Sequence, residues 1–77
     1  MDKIKVLYTG IGKNNVEVMS ANIYLNKNRL YTIEDIEFGY ENKIYLEEVP
    51  CKRFNADMFV GEKGNNFIED FIENQNS

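Results

Sequence analysis

The sequence predicts a mainly β domain: five short strands closing into a small barrel around one core, with a short C-terminal α-helix. Three observations carry this reading. Through most of the first 60 residues, apolar side chains recur two apart, the period of a half-buried strand. Pairs of glycine or asparagine interrupt these runs at short intervals, as turns between strands require. Only beyond Gly64 does the apolar spacing lengthen to that of a helix. A chain of 77 residues is one domain, since a core of this size buries only about 60% of the unfolded surface.

The first strand is Lys3–Tyr8, where lysines alternate with Ile4 and Val6 on one face. Thr9–Asn15 follows, with two glycines and paired asparagines that tolerate positive φ, and reads as a loop. Val16-Glu17-Val18 alternates again and predicts a short strand near 16–20, followed by an irregular stretch to Leu25. Asn26-Lys27-Asn28 is a turn, and Leu30–Phe38 is a strand with Tyr31 and Ile33 inward. Its spacing slips at Ile36, which predicts a bulge or bend there. Gly39–Asn42 is a hairpin connection. Lys43–Val49 is the fourth strand, with Ile44 and Leu46 inward, and Pro50 ends it because proline cannot donate to a ladder. Asn55 caps a single helical or 3₁₀ turn that sends Phe54 and Phe59 inward, and a last strand at 58–60 ends at Gly61.

Phe67, Ile68, Phe71 and Ile72 then fall on one stripe of a helix capped by Asn65 or Asn66, with Glu69 and Asp70 suited to its positive end. A helix this short does not stand alone in water, so the stripe must dock on its own barrel, on a second copy or on a partner. The chain therefore divides into a barrel, 1–61, and an acidic amphipathic tail, 62–77.

Charge follows the same division. The net charge is −4, yet residues 1–54 balance eight basic groups against eight acidic ones. Asp57, Glu62, Glu69, Asp70 and Glu73 face Lys63 alone in the remainder, which carries the whole excess. Such a distribution argues against a duplex DNA binder, which needs a basic footprint, and permits a basic partner. No apolar run reaches signal-peptide or membrane-span length, so no membrane contact is expected and the expected location is the cytoplasm.

Catalysis has little to work with. There is no histidine and only one cysteine, which excludes a Cys/His zinc site, a Ser-His-Asp or Cys-His arrangement, and an internal disulfide. Gly10-Ile11-Gly12-Lys13 looks like a phosphate loop but lacks a third glycine, and Val16-Glu17-Val18 reads as strand where the binding helix should start. Glu34, Asp35, Glu37, Glu41, Glu47 and Glu48 gather if the central strands pair, and on exposed faces they discourage edge-to-edge pairing. Cys51 beside Lys52 and Arg53 has no base and reads as a part-buried structural thiol. No enzyme, no cofactor and no metal is expected.

Interaction is the better use of these residues. Tyr8, Tyr24, Tyr31, Tyr40, Tyr45 and Phe38 exceed what one small core needs. Tyr45 falls opposite Ile44 and Leu46, where an exposed ring can anchor a partner or stack on a base, with Lys43, Lys52 and Arg53 as a basic rim. The candidate partner-binding residues are thus Tyr45, Lys43 and Arg53 on the barrel and Phe67, Ile68, Glu69, Asp70, Phe71 and Ile72 on the tail.

From Leu25 to Ile33 the chain resembles a recurrent element of small SH3-like barrel proteins of bacteriophages and prophages: leucine, two residues, Gly-Lys, any residue, Tyr, any residue, then Val or Ile. Leu25, Tyr31 and Ile33 match, Asn28 stands for the glycine and Arg29 for the lysine. Ile44–Pro50 and Phe54–Phe59 resemble that family's later hairpin strand and its closing turn and strand. The resemblance spans about residues 25–60. It implies an SH3-like barrel of phage or prophage origin, working in a bacterial host's cytoplasm. Phage genes of this size often encode inhibitors of host proteins, defence nucleases among them. The expected function is a non-enzymatic protein-interaction module that binds a host protein or a second copy of itself. The alternative is a barrel binding single-stranded nucleic acid.

Overall fold

The computed structural model describes residues 3–75. In chain order it contains β1 (Lys5–Tyr8), α1 (Asn15–Asn22), β2 (Leu30–Glu37), β3 (Lys43–Leu46), β4 (Val49–Asn55), a 3₁₀ turn (Ala56–Met58), β5 (Phe59–Gly61) and α2 (Phe67–Gln75). The strands form one antiparallel sheet in the order β4-β3-β2-β1-β5. β4 and β5 are its edges, and the ladder does not close between them.

β2 holds the sheet together because it serves two neighbours in turn. Its first half pairs with β1, Val6 opposite Tyr31, and its second half with β3, Ile36 opposite Ile44. The register shifts between Ile33 and Asp35, so Glu34 is the extra residue of a bulge. The expected bend is therefore present, two residues before Ile36. An extra residue sharpens the twist of its strand and lets one strand turn from one layer into the next.

The residues read as inward, Tyr31, Ile33, Ile44, Leu46, Phe54 and Phe59, are all buried. Val6, Tyr8 and Met58 are fully buried with them, so Tyr8, counted among the surplus aromatics, belongs to the core. Tyr8 and Phe59 pack with ring centroids 5.4 Å apart, and Phe54 meets Phe59 edge-on at 6.3 Å. Asn55 caps the 3₁₀ turn as expected, its side-chain oxygen accepting from Asp57 N–H at 3.2 Å.

Two strand expectations are corrected. The segment 16–20 is helix, not strand: Asn14 accepts from Val16 and Glu17 N–H at 2.9 and 3.3 Å and starts α1. Three alternating residues are too few to fix a period, and the helix puts Val18 and Ala21 against the core instead. Lys43–Val49 is not one strand either. β3 stops at Leu46, Glu47-Glu48 turn the chain, and Leu46 pairs with Val49. Pro50 thus lies inside β4, tolerated because β4 is an edge strand. Between the pairs Leu46–Val49 and Tyr45–Arg53, Pro50, Cys51 and Lys52 bulge outward with Cys51 at φ 67°. Its thiol is exposed rather than part-buried.

The tail docks on the body. Phe67 and Phe71 are buried in the same core as the strands, Ile68 packs against it, and Phe71 lies 6.4 Å from Phe38. Gly61, Gly64 and Asn65 form the tight turn that delivers α2: Gly61 N–H donates to Asn65 C=O at 2.9 Å, and a side chain at Gly61 would collide with Asn65. Asn66 caps the helix, its side-chain oxygen accepting from Ile68 N–H at 3.0 Å.

Candidate interaction surfaces

The tail offers less surface than its sequence promises. Of the apolar stripe, Phe67 and Phe71 are spent on the core and Ile68 is half-buried, so only Ile72 stands out, 45% exposed. Glu69 and Glu73 flank it in solvent, while Asp70 is half-buried and takes a hydrogen bond from the Asn65 side chain. The outer face of α2 is acidic and nearly without apolar anchors.

Tyr45, Lys43 and Arg53 do not make a basic rim. Tyr45 does point away from Ile44 and Leu46, half-buried, beside an open cavity of about 700 Å³ shared with Glu34, Asp35 and Glu37. Arg53 reaches across to Glu37 at 2.7 Å, and that hydrogen bond and charge, with Tyr45 beyond, push the guanidinium pKa higher still. Lys43 turns toward α1, 3.6 Å from Glu17 and 4.0 Å from Glu41. Lys52 lies over the Tyr24 ring, 5.0 Å from its centroid. Tyr45 sits among carboxylates with Arg53 beside it, while Lys43 and Lys52 are engaged elsewhere.

Most of the acidic strand residues are individually committed. Glu48 accepts from Thr32 N–H at 2.9 Å and from its hydroxyl at 2.9 Å, while Lys5 donates to the same hydroxyl at 2.7 Å. Burial alone would raise the Glu48 pKa, but the Thr32 bonds, helped by its own backbone and by Lys5, outweigh it and hold the carboxyl below its ordinary value. Glu47 pairs with Lys3, whose ammonium is raised by that hydrogen bond and charge. Among the described residues no group of three or more acidic or thiol side chains is arranged to hold a metal.

The Gly10–Lys13 loop does lead into a helix, contrary to the expected strand, yet the helix start is occupied. Asn14 takes the N–H groups of Val16 and Glu17, and Asp57 takes that of Lys13 at 3.0 Å. A phosphate would have to displace both. An open groove of about 540 Å³ lies between the 39–42 hairpin and the 61–66 turn, lined by Asn42, Asn55, Asn65 and Asn66. Each of these amides already has a partner within the chain: Asn42 accepts from Gly39, Asn55 donates to Glu41, Asn65 to Asp70, and Asn66 caps α2.

The surface that sequence reasoning missed is the outer face of α1. Tyr8 clamps the inner face, its hydroxyl donating to the Asn22 side chain at 2.6 Å. Burial, with Tyr31 nearby, raises the Tyr8 pKa, so the phenol remains a donor. Opposite, Val16, Met19 and Ile23 are 74, 70 and 76% exposed, and Ile11 in the preceding loop is 72% exposed. Positions 16, 19 and 23 share one helix face. The signal was present in that spacing and in Asn14 as a cap, but apolar residues on both faces hid the period. No helix among the described residues is long and apolar enough to cross a membrane.

No protein-family model, curated protein or solved structure matches this chain.

Proposed function

We propose that this chain is a non-enzymatic protein-interaction module: an SH3-like small barrel of phage or prophage origin that acts in the bacterial cytoplasm by occupying a surface of a host protein, a defence protein being the case the size and resemblance favour. The observation that carries the interaction reading is the exposed apolar face of α1. A small protein that has buried Val6, Tyr8, Ile44 and Leu46 completely while leaving Ile11, Val16, Met19 and Ile23 in water has apolar surface reserved for something else.

The SH3-like reading is supported by three features together. The strand order β4-β3-β2-β1-β5 places the last strand beside the first, β2 carries a bulge between its pairing with β1 and with β3, and a 3₁₀ turn joins β4 to β5. The absence of histidine and the structural pairing of Glu37, Glu47, Glu48 and Asp57 support a binding role over catalysis. Single-stranded nucleic acid binding has less support, because Lys43 and Arg53 are both paired to carboxylates.

The test is chemical cross-linking of the full chain in bacterial lysate, followed by mass spectrometry and reconstitution with each purified candidate. The expected result is a stoichiometric complex with a protein. Finding no protein that reconstitutes, together with an anisotropy change on a labelled single-stranded oligonucleotide that collapses with salt, would replace this reading by the nucleic-acid one.

A further inference from the structure

We infer that the cleft between α1 and β4 is a binding site for a phosphate group. Glu17, Ser20 and Tyr24, from α1 and the turn after it, line this opening of about 200 Å³ together with Lys43, Lys52 and Arg53. That volume is below the ~300–1,000 Å³ of sites for larger ligands and suits a single small group. Its charge differs from that of the chain. The protein carries −4, and the two openings described above hold more carboxylates than cations. Here three cations stand against one acid. Arg53 is spent on Glu37, so the two lysines are what the cleft has to give.

Neither ammonium group has a hydrogen bond to hold it. Lys43 Nζ lies 3.6 Å from Glu17 and 4.0 Å from Glu41, beyond hydrogen-bond length, although its side chain is only 22% exposed. Lys52 Nζ lies 5.0 Å from the centre of the Tyr24 ring, whose face attracts a cation without a conventional hydrogen bond. The Ser20 hydroxyl has no partner among the described residues either. A largely buried ammonium ordinarily spends its N–H groups on acceptors. Two ammonium groups and a hydroxyl thus border one small opening with their donors unused, and the acceptor that completes them is an oxyanion. A phosphate group brings three acceptor oxygens and a charge of about −1.5 to −2, enough to meet both lysines at once. A carboxylate brings less, and the two already present, Glu17 and Glu41, stay out of hydrogen-bond range. The same chemistry serves a free anion or a phosphoryl group carried on a protein side chain.

The test is a titration of the full chain with sodium phosphate near neutral pH, followed by amide NMR shifts, against sodium chloride at matched ionic strength. Phosphate is expected to shift the amides of Ser20, Lys43 and Lys52 saturably, and chloride to leave them in place. Lys43→Gln and Lys52→Gln are each expected to weaken phosphate by about tenfold or more, and Lys63→Gln, in the turn before α2, to leave it unchanged. Glu17→Gln is expected to tighten it, because a carboxylate no longer competes for Lys43. Lys52 is exposed, so Lys52→Gln keeps the fold, which an unchanged thermal melt verifies. A phosphoserine peptide and its unphosphorylated form then identify the source. Tighter binding of the phosphopeptide than of free phosphate, lost in Lys52→Gln, assigns the site to a phosphorylated protein, and the opposite order assigns it to the free anion. Equal responses to phosphate and chloride, or phosphate binding that survives both lysine substitutions, overturn the site.

Discussion

Thr32 shows how one residue can organise a small sheet. It is buried at the point where β2 leaves β1 for β3, and its N–H and hydroxyl both donate to Glu48 while its carbonyl accepts from Glu47 N–H at 3.0 Å. The β3–β4 turn is thereby tied to the bend in β2. Glu48→Ala leaves the buried Thr32 N–H without its acceptor and is expected to cost about 1–3 kcal/mol, read as a lower denaturation midpoint with unchanged slope. The Glu48 carboxyl is held below its ordinary pKa in the folded chain, so its stabilisation is full above the usual carboxylate range and is lost as pH falls through that range and below it. Glu48→Gln should accordingly flatten the acid limb of the stability profile, and an acid limb identical to that of the unaltered chain would contradict the assignment. Asn28, at φ 63°, is the residue at which local chemistry was most legible: asparagine between two turn residues stands where glycine would, because its side chain tolerates the left-handed region.

At the scale of elements, α1 is where pattern and structure part. The helix of eight residues is too short to persist by propensity. It exists because Asn14 caps it, Tyr8 holds its last turn, and Val18 and Ala21 find the core. None of these partners is near in sequence except the cap. Asn14→Ala removes the acceptor of two N–H groups and is expected to destabilise by about 1 kcal/mol. The amide protons of Val16 and Glu17 should then exchange faster than those of β1, and equal protection before and after would show that the cap does not hold the helix. β3 and β4 teach a related lesson. Pro50 was a sound stop signal for a central strand, but the chain had already turned at Glu47-Glu48 and the proline landed on an edge.

At the scale of the whole molecule, the acidic tail is an outer layer of the same core rather than an appendage. Phe67 and Phe71 pack with the strands, Phe71 against Phe38 and beside a small cavity lined by Ile4 and Ile33. Phe71→Ala is expected to cost about 3–5 kcal/mol, the usual range for an aromatic removed from a core. In a small domain that is most of the stability to be had, so its thermal midpoint should fall by well over ten degrees or the chain should fail to fold. A midpoint unchanged in Phe71→Ala would mean that α2 contributes nothing to the body. The charge split then acquires a direction. α2 turns Glu69 and Glu73 outward, so the negative excess lies on the outer side of the helix whose inner side joins the core.

The sequence by itself determined what short-range physics decides. The period of two identified β1, β2 and the inward residues of β3. The turn chemistry of Asn28 and Asn55, the stripe of α2 and the exclusion of histidine chemistry were equally local. Only the tertiary structure decided which apolar residues remain outside. Val16, Met19 and Ile23 are as apolar as Val6, Ile33 and Phe67, and no local rule separates the two sets. The sheet has room to cover one face of α1 and the inner side of α2, and closing on Val18, Ala21, Phe67 and Phe71 leaves the opposite face of α1 in water. Burial is settled by which surfaces meet, and the outer face of α1 is the one left uncovered in that competition.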